Sequence, residues 1–79
     1  MNEAIYVQKE LFSRIKETLP SNISFVHEIS ESLEISYDSA YRRIRGEKEL
    51  SLTELLRLCS KYAISVDSLI KDSEKQHHI

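Results

Sequence analysis

Apolar residues recur every three or four positions along most of the chain, the spacing of amphipathic helices. Ile5, Leu11, Phe12, Ile15 and Leu19 form one side of a first helix, and Glu3, Lys9, Glu10, Arg14, Lys16 and Glu17 cover the other. Asn2 serves as its cap and Glu3 stands in its first turn. Pro20 ends it, because the residue before a proline is pushed out of the α region. A second helix starts after Ser24, with Phe25, Val26, Ile29 and Leu33 as its apolar face and the small Ser30 where a crossing helix can come close. Ile35 then plugs inward, and Ser36 caps a third, short helix from Tyr37 to Arg45. Asp38 lies in its first turn, where the helix dipole favours a negative charge. Gly46, the only glycine, stands where a left-handed residue ends a helix.

The next start is the clearest. Ser51-x-x-Glu54 reads as a capping box, with Leu50 and Leu55 as the staple beside it. Leu52, Leu55, Leu56, Cys59 and Ala63 share a face, widened by Leu58 and Tyr62. Ser65 caps a last helix with Asp67 in its first turn and Val66, Leu69 and Ile70 facing inward. From Lys71 on, polar residues predominate and predict a frayed end. The expectation is an all-α domain of five helices over residues 1–72, with 73–79 a polar tail that either opens a linker to a further C-terminal region or closes a whole small protein. None of these helices is long enough to stand alone, so packing must hold them.

At about 100° per residue, Ala40 and Ile44 fall on the inner side of the third helix with Tyr37 beside them. Arg42 falls nearly opposite, flanked by Asp38, Arg45 and Ser39, and Tyr41 and Arg43 lie on the borders. A short helix with a cationic, tyrosine-edged outer face, set after a tight turn, suits the major groove of DNA.

Composition changes this picture only in part. The 79 residues are 41% apolar and 30% charged, which suits one small globular domain. The net charge of −2 counts against a nucleic-acid partner. Locally the balance reverses, since Tyr37 to Gly46 holds three arginines and one aspartate, and electrostatic contact needs a patch rather than a basic protein. Cys59 is the only cysteine, which fits a reducing cytoplasm. No apolar run approaches membrane-spanning length, and the N-terminus lacks the layout of a signal peptide. His27 sits on exposed helix without an evident partner, and His77-His78 lack the spacing of a metal site. No phosphate loop and no recognisable nucleophile set occurs, so neither an enzyme nor a cofactor is expected.

The layout resembles the phage-repressor-like helix-turn-helix family, the Cro or XRE type, over roughly Glu3 to Ile70. The resemblance rests on Leu33-Glu34-Ile35-Ser36, the short helix ending at Gly46, the Ser51-Leu52 start and the run Ile64-Ser65-Val66-Asp67-Ser68-Leu69. This chain has Glu34 where the family usually has glycine and Val26 where it often has glutamine. It has Arg43 at the second apolar position of the third helix, with Ile44 one residue later, which implies a small rotation. The resemblance implies a cytoplasmic transcriptional regulator that binds double-stranded DNA as a homodimer. Base contacts would come from Tyr37, Asp38, Tyr41 and Arg42, with Arg42 paired to guanine. Phosphate contacts would come from Ser24, Ser39, Arg43, Arg45 and Lys48. Leu58, Tyr62 and the last helix are candidates for self-association. The alternative is a protein-interaction module on the same fold, such as an antitoxin or adaptor.

Overall fold

The computed structural model describes the backbone of residues 3–77 and the side chains of residues 3–74. These residues form five α-helices and no strand: α1 (Glu3–Thr18), α2 (Phe25–Leu33), α3 (Tyr37–Ile44), α4 (Leu52–Lys61) and α5 (Val66–His77). Asn2, read as the cap of α1, and His78 lie outside the described residues, as does the side chain of His77.

The core draws on every helix. Leu11, Phe12 and Ile15 of α1 meet Ile29 and Leu33 of α2, Ala40 of α3, Leu58 and Cys59 of α4, and Leu69 of α5. Phe12 and Phe25 pack edge to face with centroids 6.0 Å apart, a geometry the ring quadrupoles favour. α1 lies mainly on α5, and α2 lies on α3 and α4. The predicted caps form: Ser24, Ser36, Ser51 and Ser65 accept from the backbone N–H of His27, Ser39, Glu54 and Ser68. The capping box closes both ways, since the Ser51 N–H also donates to Glu54 Oε1 at 3.0 Å.

α2, α3 and α4 end in the same way. Each is followed by one residue with a left-handed backbone: Glu34 (φ 57°), Gly46 (φ 82°) and Ala63 (φ 55°). The residue after that donates its N–H five residues back, Ile35 to Ser30, Glu47 to Arg42 and Ile64 to Cys59. This is the Schellman closure, which satisfies otherwise orphaned carbonyls. In two of the three cases a residue with a Cβ takes the position usually given to glycine. Ile35 and Ile64 then pack against the core, and the burial of each holds the turn before it.

Several expected inward positions face out. Leu52 is 71% exposed and Leu56 is exposed too, because the buried stripe of α4 runs through Leu55, Leu58, Cys59 and Tyr62. Leu52 lies in the first turn, beyond the core, and Leu56 stands about 100° around from Leu55. Ala63 ends α4 and is exposed rather than buried in it. Leu58, a candidate for self-association, is fully buried. The last helix also runs further than its polar sequence predicts. Asp72 pairs with Arg14 of α1, and the buried Ser73 donates its hydroxyl to the Ile70 carbonyl. Arg14, assigned to the solvent side, also binds Glu10 and both the hydroxyl and carbonyl of Ser68. His27 has a partner after all, Glu31 at 3.1 Å on its own helix.

Candidate nucleic-acid interface

α3 turns Ala40, Ile44 and the stem of Arg43 toward the protein and five polar or aromatic side chains away from it. The outward residues form two ridges at i, i+4 spacing: Tyr37, Tyr41 and Arg45, and beside them Asp38 and Arg42. Tyr37 is 58% exposed and belongs to the outer face rather than the inner one. Arg43 and Tyr37 flank the inner stripe of Ala40 and Ile44 on opposite sides, and it is Arg43 that the protein covers.

Arg43 is held within the protein. Its Nε donates to Glu54 Oε1 at 3.0 Å and its Nη1 to the Ser39 carbonyl at 3.0 Å, leaving its side chain 14% exposed. Glu54 therefore both closes the capping box of α4 and anchors α3. Burial works against its ionisation, but hydrogen bonds from Arg43 and the Ser51 backbone outweigh that and hold the carboxyl below its ordinary value of 4.5.

Gln8 provides the second anchor, which the sequence reading missed. Its Nε2 donates to the carbonyls of Arg43 (2.7 Å) and Lys48 (2.9 Å), and its Oε1 accepts from the Leu50 N–H (2.8 Å). One buried amide thus ties α1 to the end of α3 and to the loop before α4. The signal was present: Gln8 stands midway between Ile5 and Leu11, a polar residue inside the apolar stripe of α1. Lys9, next in sequence, lays its stem beside Gly46, with Cε 3.5 Å from where a Cβ would stand.

The outward arginines are lightly held by carboxylates. Arg42 Nε lies 3.8 Å from Asp38 Oδ2, and Arg45 Nε lies 2.9 Å from Glu47 Oε2. Arg45 also stacks over the Tyr41 ring at 5.4 Å and donates to its hydroxyl. The other assigned residues are placed less directly. Ser39 accepts from the Ser36 hydroxyl, Ser24 stands at the start of α2, and Lys48 is exposed in the loop after α3. Tyr62 donates to Glu28 at 2.7 Å, which engages its hydroxyl between α2 and α4.

A different surface carries the exposed Leu52 and Ile70. A groove of about 350 Å³ runs between α1, α4 and α5, lined chiefly by Val7, Leu50, Leu52, Leu55, Val66 and Ile70. Among the described residues no helix is long and apolar enough to cross a membrane. The chain matches no protein-family model, no curated protein and no solved structure.

Proposed function

We propose that the chain is a phage-repressor-like, Cro/XRE-type helix-turn-helix domain that binds double-stranded DNA in a sequence-specific way and regulates transcription in the cytoplasm. α2 and α3 form the motif, and α3 enters the major groove. The observation that carries this reading is the division of α3. Its inner side is fixed through Gln8, Arg43 and Glu54, while Tyr37, Asp38, Tyr41, Arg42 and Arg45 are offered together on the outer side. Groove recognition needs a short polar helix on a rigid support. Arg42 is the guanine reader, and Arg45 and Lys48 bind phosphate. Arg43 positions α3 instead of contacting phosphate.

The domain measures 34 × 23 × 21 Å. Two copies reading half-sites one turn of DNA apart would hold equivalent helices about 34–36 Å apart. Of the residues considered for self-association, Ile70 is the one left exposed.

The test is fluorescence anisotropy with a labelled random-sequence duplex at several salt concentrations. The expected result is an affinity that falls steeply with salt and is lost in the Arg42→Ala/Arg45→Ala double variant. Salt-independent or absent binding would exclude the DNA reading. The second reading, a protein-interaction module, is favoured by the groove with Leu52 and Ile70 at its edge. It predicts that Leu52→Ser/Ile70→Ser abolishes partner binding and that the arginine pair matters little.

A further inference from the structure

We propose, resting on the DNA reading above, that Asp38 determines specificity: its carboxylate accepts from the exocyclic amine of a cytosine or adenine in the base pair next to the guanine held by Arg42. The inference starts from what surrounds that carboxylate. Asp38 is the acidic residue on the outward ridges of α3, and its side chain is 82% exposed. Its one charged neighbour among the described residues is Arg42, at 3.8 Å, beyond hydrogen-bonding range. The pairing is therefore loose, and exposed i,i+4 pairs of this kind are worth only a few tenths of a kcal/mol.

Docking α3 in the groove changes the neighbourhood of this charge. It cannot face a phosphate, which repels it, and it loses water on the groove side. It must then meet a hydrogen-bond donor or remain an unpaired, desolvated charge. The base edges of the major groove provide few donors. Cytosine N4 and adenine N6 carry them, whereas guanine offers only N7 and O6 and thymine only O4 and a methyl group. A carboxylate aimed at one strand accepts two bases at that position and rejects two.

The helix position gives the register. Asp38 and Arg42 are i,i+4 neighbours on one ridge of α3, and successive bases on a strand are about 3.4 Å apart. With Arg42 on guanine O6 and N7, Asp38 reaches a base in the adjacent pair. Arg42 supplies the attraction, and Asp38 supplies the penalty against wrong sequences that specificity requires. The same carboxylate weakens sequence-independent binding, since it stands beside the cation that a phosphate would otherwise take.

The experiment is selection from a random duplex pool with wild type, Asp38→Ala, Asp38→Asn and Arg42→Ala in parallel. Thermal denaturation of each variant confirms folding, which the exposure of both side chains favours. Wild type should enrich a guanine with cytosine or adenine at one strand position of an adjacent pair, disfavouring guanine and thymine at that position about tenfold or more. Asp38→Ala should keep the guanine and lose that exclusion. Asp38→Asn should shift the position toward adenine, which pairs with an amide in bidentate fashion. Arg42→Ala should lose the guanine. A wild-type motif that persists unchanged at every position in Asp38→Ala would overturn the role of Asp38 and leave the DNA reading standing. No motif from wild type would overturn both.

Discussion

Glu34, Gly46 and Ala63 occupy equivalent left-handed positions after successive helices, and only one of them suits that backbone. A left-handed residue with a Cβ costs about 1–2 kcal/mol, partly offset because glycine loses more freedom on folding. Glu34→Gly should therefore raise unfolding stability by about 0.5–1 kcal/mol in urea titration. The lost ion pair to Arg57 is exposed, at 3.4 Å, and contributes little. Gly46→Ala should lower stability by about 1 kcal/mol through backbone strain alone. Its new Cβ would meet Lys9 Cε at 3.5 Å and Ile5 Cγ2 at 3.8 Å, ordinary contacts. Gly46 could be read from the sequence because glycine announces its conformation. Ala63 could not. Alanine is the best helix former, and its departure from the helix is imposed by Ile64, which closes the turn and packs on the core.

At the scale of the element, α3 owes its orientation to two polar anchors rather than to its own apolar content, which is only Ala40 and Ile44. Gln8→Ala should cost roughly 1–3 kcal/mol, because the Lys48 carbonyl and Leu50 N–H lose their partner. Arg43→Ala should cost a similar roughly 1–3 kcal/mol, since it strips Glu54 of a charge-assisted bond in a poorly exposed place. Arg42→Ala should leave stability unchanged within about 0.5 kcal/mol, as expected of an exposed side chain. Denaturant titration of the three variants separates positioning residues from surface ones. The helix ends were legible because serine caps and Pro20 act locally. The assignment of Arg43 was not, because an arginine on a helix border reads equally well as a phosphate contact or an internal tie. Its destination depends on Glu54, eleven residues away. α4 was misread for a related reason. A leucine-rich helix offers more apolar positions than the core can cover, and periodicity alone does not say which ones face solvent.

For the whole molecule, two of the carboxylates that link its helices are held below their ordinary pKa and set its behaviour in acid. Glu28 joins α2 to α4, and a hydrogen bond from the Tyr62 hydroxyl, opposed by burial and aided by Lys61, holds it below 4.5. Glu54 is lowered as well. Groups with a depressed folded pKa contribute stability that is complete above the unfolded value and is lost as pH falls through the folded one. Stability should accordingly hold from neutral pH down to about 4.5 and decline below it. Glu54→Gln should start from a lower stability at pH 7 and decline less on acidification, as followed by urea titration across that range. The five-helix count and the core were legible at this scale because helical spacing is a long-range repeat. The exposed Ile70 and the long α5 were not, since both depend on how α1 and α5 meet.

The net charge of −2 makes the DNA reading depend on the local face of α3. Selection and sequencing from a random duplex pool, with wild type beside Arg42→Ala, tests it most directly. The expected outcome is a paired motif with half-sites spaced by about ten base pairs that the variant no longer enriches. Absence of any enriched motif from the wild-type protein, with no salt-dependent retention of DNA, would contradict it.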